Sequence, residues 1–164
     1  MIKLKCIPIS YINPINQLYQ MIKFIPVEDT LPIRKDILRG GKLTLDECRF
    51  PTDQLAGAFH LGYYEGEELA CIASFHPQNY GQFIGTGYQL RGMATIEKYR
   101  GRGFGNQLLN FGIVYLRGQK ANYLWCNARK KALQFYLNMG FEIISSEFEL
   151  PGIGPHYVLY VKIQ

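Results

Sequence analysis

Tyr99-Arg100-Gly101-Arg102-Gly103-Phe104-Gly105 is the stretch from which the rest of the chain can be read. A strand is predicted before it, near residues 87–95. After it, Phe104, Leu108, Leu109, Ile113 and Leu116 recur at helical spacing as far as Gly118. The pattern is strand, glycine-rich turn, amphipathic helix. The glycines let the main chain come close to a ligand and leave backbone N–H groups free to point at it. A helix that starts near Phe104 adds the positive end of its dipole, so the turn is suited to a pyrophosphate. It is not a Walker loop, because no Lys-Ser or Lys-Thr follows the glycines. It is not a Rossmann fingerprint either, since the acid expected about 20 residues on would fall in residues 122–127, which contain none.

Outward from that turn the chain reads as one mixed α/β domain spanning residues 1–164, with no repeat, low-complexity tract or linker. On the N-terminal side, residues 1–9 read as a strand. Asn13-Pro14 then opens a helix to about Lys23. A second helix is predicted over residues 33–39, stopped by Gly40-Gly41, and residues 42–53 read as irregular or weakly helical. Residues 56–63 and 69–75 form an apolar hairpin around the polar run 64–68. On the C-terminal side, residues 123–126 read as a short buried strand and residues 128–139 as a helix ended by Gly140. Two strands follow, 142–150 and 156–163, with a Pro/Gly turn at 151–155. The order β α α β β β α β α β β predicts a sheet covered by helices.

Charge sharpens this reading. The 164 residues carry a net +5, yet residues 91–131 hold nine Lys/Arg against Glu97 alone. Such a concentration suits an anionic ligand, either a phosphorylated cofactor or a nucleic acid. Hydrophobic residues at 48% and charged residues at 19% make a globular chain, not a disordered one. No apolar run approaches the roughly 18 residues a spanning helix needs, and the alternation in residues 1–10 is not that of a signal peptide. Cys6, Cys48, Cys71 and Cys126 form no CxxC pair, and His60, His76 and His156 are equally dispersed. Neither a metal site nor a disulfide framework is expected, and reduced thiols in a cytoplasmic protein are the default.

Arg100, Gly103 and Gly105, followed by Leu108-Leu109, resemble the acetyl-CoA signature of the GNAT superfamily of N-acetyltransferases. Asn127-Ala128-Arg129, Ala132, Phe135-Tyr136 and Gly140-Phe141 resemble its second signature, in the right order and at the right separation. The likeness covers residues 54–163. It implies a mixed, mostly antiparallel sheet splayed between its fourth and fifth strands and flanked by helices, with acetyl-CoA in the cleft. By that resemblance, backbone groups of Met93, Ala94 and Thr95 would face the pantetheine arm. The turn Arg100, Gly101, Arg102, Gly103, Phe104, Gly105 and Asn106 would hold the pyrophosphate, with Arg129 adding charge. Asn127 would hydrogen-bond the pantetheine from the other lip.

The implied reaction is direct attack of a primary amine, on a small molecule or a peptide, on the thioester. The resemblance gives Tyr136 the role of general acid to the leaving thiolate. The oxyanion donor would be a backbone N–H near Met93 or Ala94. Many relatives place a glutamate on the fourth strand, where this chain has Gln89-Leu90-Arg91-Gly92-Met93, so the base is open between His156, His60 and water. Asp46, Glu47 and Asp53 are acids able to draw in a cationic amine, and Tyr63, Tyr64, Tyr80 and Tyr88 are aromatic candidates for the pocket wall. The expected partners are acetyl-CoA and an amine, with room for a homodimer but with neither nucleic acid, membrane nor metal. A non-catalytic acyl-CoA sensor and a basic nucleic-acid-binding protein are the competing readings.

Overall fold

The glycine turn and the helix after it sit where the sequence places them, and the computed structural model, which describes residues 21–163 apart from residue 82, shows what surrounds them. The strands are β1 (Ile22–Ile25), β2 (Phe59–Glu65), β3 (Glu68–Pro77), β4 (Gly87–Thr95), β5 (Tyr123–Arg129), β6 (Glu142–Ile143), β7 (Phe148–Leu150) and β8 (Gly154–Lys162). They form one sheet in the order β1-β2-β3-β4-β5-β8-β6, with β7 also on β8. Every pairing is antiparallel except β4 with β5. The helices are α1 (Val27–Ile33), α2 (Phe104–Gly118) and α3 (Leu133–Asn138). This is the mixed, mostly antiparallel sheet with flanking helices that the sequence predicts.

The two faces of the sheet are covered differently. Leu108, Leu109 and Tyr136 of α2 and α3 close one core over Leu61, Phe75, Leu124 and Leu159. On the opposite face Ile33 of α1 packs with Ile25, Ile72 and Ala94. The alternation of side chains along each strand therefore divides the residues of β4 and β5 between an α2/α3 side and an α1 side. Among the described residues, no helix is long and apolar enough to cross a membrane.

Four local expectations change. The strand 1–9 and most of the helix 13–23 lie outside the described residues, but Ile22–Ile25, at that helix's predicted end, is a strand. Its residues pair one for one with 60–63 of β2, and this ladder outweighs any helical tendency. The helix predicted at 33–39 begins earlier, at Val27, accommodates Pro32, and widens into a π turn at Arg34–Leu38 before Gly40-Gly41 ends it. The helix predicted from Ala128 starts only at Leu133. Residues 128 and 129 belong instead to β5, because β8 pairs with that strand along its whole length, from Tyr123↔Lys162 to Arg129↔His156. The strand predicted over 142–150 is divided into β6 and β7, and between them the Ser145 hydroxyl takes the N–H of Val158 that a ladder carbonyl would have taken.

Candidate active site

β4 and β5 pair at only three positions, Gly87↔Tyr123, Tyr88↔Leu124 and Gln89↔Trp125. Beyond them, residues 90–95 and 126–129 run on without pairing with each other, so the sheet opens into a cleft lined by both strands, with a volume of about 540 Å³. That is the size of a small-molecule site. A bulge shapes the β4 edge. Ser74 of β3 faces Arg91 and Ile72 faces Ala94, which leaves Gly92 and Met93 opposite Ala73 alone. Gly92 adopts φ +60°, and a Cβ there would come within 3.0 Å of Arg34 Nε and of the Phe50 ring. Only glycine satisfies both the backbone angle and the space.

The α2/α3 side of the cleft is built from backbone and apolar groups. Gly103 adopts φ +79° and passes the chain into α2 with no side-chain cap and no acid in the first turn. The N–H of Gln107 is bonded to Gly103 O, whereas those of residues 104–106 precede the first full turn and are the orphan donors of the helix start. Among the predicted residues, Met93, Ala94, Thr95, Arg100, Gly105, Asn127, Arg129, Tyr136 and His156 all border the cleft. Gly101, Arg102, Gly103, Phe104 and Asn106 do not line it, although they belong to the turn at its mouth. Phe104 is a core residue stacked on Tyr63, with ring centroids 4.2 Å apart. Arg102 pairs with Glu65 at 2.5 Å, and Asn106 Nδ2 meets Met139 Sδ at 3.1 Å. Tyr136 is 8% exposed and its hydroxyl has one weak partner among the described residues, Met93 Sδ at 3.9 Å. Burial raises the pKa of this phenol well above the ordinary value, and the neighbouring Cys126 and Cys71 act the same way. It is a proton holder at neutral pH, aimed at the cleft.

The α1 side is polar and positive. Asn127 and Arg129 alternate with the core residues Cys126 and Ala128 and so lie on this face, and His156 stands opposite Arg129 on β8. His156 is 3% exposed. Its Nδ1 lies 2.7 Å from Gly154 O, a contact that places a proton on Nδ1, and Nε2 has no partner among the described residues. Arg129 donates to Leu38 O at 2.6 Å, which ties β5 to the end of the π turn. Arg91 lies over the Phe50 ring, 4.1 Å from its centroid, and Arg34 lies 4.2 Å from the same centroid. Arg39, Phe50, Gln89 and Arg91 border the cleft but were not among the predicted site residues. The sequence pointed to this wall through Arg129, His156 and the lack of a glutamate in Gln89-Leu90-Arg91-Gly92-Met93.

Behind that wall is a buried network that corrects several expectations. Arg34, 1% exposed, donates to both Asp53 oxygens at 2.7 and 2.9 Å and to Ser74 Oγ at 2.7 Å. His76 Nε2 lies 3.0 Å from Asp53 Oδ1 and His60 Nδ1 lies 2.8 Å from Ser74 Oγ. Burial acts to raise the Asp53 pKa, but hydrogen bonds from His76, Arg34 and the Phe50 N–H outweigh it and hold the carboxyl well below the usual carboxylate range. Burial lowers the His60 pKa, and the charges of Arg34 and His76 add to that against Asp53. His60 is thus a structural partner behind the cleft and not a base within it. The dispersed His60 and His76 do meet, with Asp53, so that their ligand atoms lie within 4.8 Å of one another. The Asp53 oxygens are already filled by a guanidinium, a donor set that suits a salt bridge better than a metal ion.

The acids expected to attract a cationic amine are not in the cleft. Besides buried Asp53, Glu47 closes a capping box with Thr44, and Asp46 pairs with Arg49. Tyr63, Tyr64, Tyr80 and Tyr88 do not line the cleft either. The basic segment does not form one free face, since Lys98, Arg100, Arg102 and Lys130 pair with Glu68, Glu97, Glu65 and Glu147. Cys48, Cys71 and Cys126 are buried free thiols, and burial pushes Cys71 up to about 11.

Known proteins resemble this chain in sequence and in fold. The acetyltransferase (GNAT) domain profile matches residues 56–143. YitI, an uncharacterized N-acetyltransferase of Bacillus subtilis (strain 168), is 38% identical over 144 residues, covering 87% of this chain and 96% of that protein. An acetyltransferase of the GNAT family from Staphylococcus aureus Mu50 superposes with a TM-score of 0.67 at 16% identity, over 87% of this chain and 99% of the other. An aminoglycoside 6'-N-acetyltransferase complexed with coenzyme A also gives 0.67, at 14% identity, over 88% and 97%. At such identities the two structures attest the fold.

Proposed function

The chain belongs to the GNAT acetyltransferase family and is an acyltransferase, and from that premise we propose that it moves the acetyl group of acetyl-CoA to a primary amine bound on the α1 side of the cleft. The observation that carries this reading is the split between β4 and β5, whose unpaired edges meet an uncapped, acid-free helix start at one end. Backbone N–H groups of the turn at 101–106, with Arg100 and Arg102 nearby, bind the pyrophosphate. The backbone of Met93, Ala94 and Thr95, which has no partner in β5, and the side chain of Asn127 hold the pantetheine arm between the strands.

In the reaction the amine nitrogen attacks the thioester carbon, the carbonyl oxygen takes up charge, and the C–S bond breaks. A backbone N–H at the Met93 bulge stabilises that oxyanion. Tyr136 protonates the thiolate; its side chain borders the cleft with one weak partner among the described residues, and burial keeps the proton on it until the thiolate forms. His156 takes the proton from the amine through Nε2; its place in the cleft favours it over His60.

A thiol-release assay with acetyl-CoA against amines, amino acids, polyamines and peptides tests the reading. Release that depends on the amine is expected. A folded protein that binds coenzyme A but releases no thiol with any acceptor would favour the sensor instead.

A further inference from the structure

The α1 wall of the cleft carries three arginines, Arg39, Arg91 and Arg129, and among the described residues no carboxylate borders any part of the cleft. Asp53 lies behind the wall with both its oxygens taken by Arg34, so it offsets the charge of Arg91 only in part and offers the cleft no free oxygen. Among the described residues, neither Arg39 nor Arg91 makes a side-chain hydrogen bond or meets a carboxylate within 4 Å; Arg91 is held only by the Phe50 ring. Arg129 uses one N–H on Leu38 O and retains the others. Gln89, 5% exposed and bordering the same wall, makes no side-chain hydrogen bond among the described residues. Burial lowers the Arg91 pKa, and the like charges of Arg34 and Arg39 add to it against Asp53; burial and Arg39 do the same to Arg129. Half-buried guanidinium groups that crowd one another and lack anions are a costly arrangement unless a ligand supplies the anion.

Coenzyme A is not the anion these arginines await. Its phosphates belong, on the reading above, to the glycine turn, which leads into α2 on the other face of the sheet. Arg91 shares the face of Ser74 and Phe50, and Arg129 that of His156 and Leu38, all on the α1 side.

We propose that Arg91, with Arg39 and Arg129, is an anion subsite for the acceptor, so that the substrate is a small amine carrying its own carboxylate or phosphate. Glycine-like α-amino acids and aminoalkyl phosphates are of this class, whereas polyamines and other cationic amines are excluded by like charge. The guanidiniums take the anionic end and leave the amine toward His156 and the thioester. The proposal rests on the transferase reading.

The test compares matched acceptors: glycine and glutamate against their amides, phosphoethanolamine against ethanolamine, and spermidine as the cation. Thiol release is followed in the wild type and in Arg91→Gln and Arg39→Gln, with coenzyme A affinity measured by calorimetry in each. An anionic acceptor is expected to exceed its uncharged analogue by about 10-fold or more in kcat/KM. Arg91→Gln should erase most of that preference through KM while coenzyme A affinity stays within about 2-fold. Carboxylate and phosphate probes separate the two anion sources. Equal or better turnover of amides, ethanolamine or spermidine overturns the subsite, as does a parallel loss of coenzyme A affinity in Arg91→Gln. Should no amine turn over, N-acetylglutamate and N-acetylglycine are titrated into the coenzyme A complex. Absence of binding there also overturns it. Failure of the wild type to bind coenzyme A at all refutes the transferase reading instead.

Discussion

The two sides of the cleft are made of different materials. Toward α2 and α3 the wall is main chain and apolar side chain: the Met93 bulge, Phe135 and a buried phenol, with the Gly103 turn at its mouth. Toward α1 it is arginine, histidine and amide, backed by the Arg34–Asp53–His76 network. A wall of backbone amides can serve any chain that needs the same cofactor. A wall of long charged side chains is specific to one acceptor and needs a buried anchor to hold it in place. On the proposed reading, the cofactor half of the chemistry is carried by backbone geometry and the acceptor half by charge.

The sharpest way to break the comparison is to remove the anchor. Asp53→Ala leaves the Arg34 guanidinium buried without its carboxylate, and should cost about 3–5 kcal/mol in urea unfolding. A loss below about 1 kcal/mol would show that the α1 wall stands without the network. In the wild type both Asp53 and His60 have depressed pKa values. The unfolded chain therefore binds their protons first, so stability falls as pH drops below the ordinary histidine value of about 6.5 and again below about 4. Stability that instead rises on acidification through that range would contradict the assignment.

On the other wall, Tyr136→Phe keeps the ring in its core and removes one hydroxyl. The turnover rate should fall by roughly 10²-fold or more, in kcat and kcat/KM alike, with acetyl-CoA affinity nearly intact. Unchanged turnover would make Tyr136 a packing residue. The smallest loss of stability is expected at the mouth. Gly103 has φ +79° and open space where a Cβ would stand, so Gly103→Val costs about 1–2 kcal/mol of backbone strain and no clash. Coenzyme A affinity, read by calorimetry, should nevertheless drop by about 10-fold or more, because the amides no longer meet the pyrophosphate. An unaltered affinity would remove the turn from the site.

The same contrast explains what could be read from the chain in advance. The glycine turn, α2, β4 and the position of Tyr136 are local in sequence: alternating glycines, a helical apolar stripe, and one motif on the next helix. The α1 wall is assembled from Arg39, Phe50, Arg91, Arg129 and His156, which lie on five separate segments brought together by strand register and a π turn. No spacing along the chain announces such a meeting. The π turn sets Arg34 against Asp53, and the length of β5 places Arg129 on the α1 face opposite His156; both depend on tertiary pairing that local propensity does not encode. Asp53 and His60 were plausible site residues by type, and only burial shows that they are spent on each other's neighbours.

Diffraction from crystals grown with coenzyme A tests the division of labour most directly. The account predicts a diphosphate within hydrogen-bond distance of the backbone amides at 101–106 and a pantetheine arm between β4 and β5, with Arg39 and Arg91 left untouched. Phosphates bound by Arg39, Arg91 and Arg129, with no contact to the glycine turn, would contradict it.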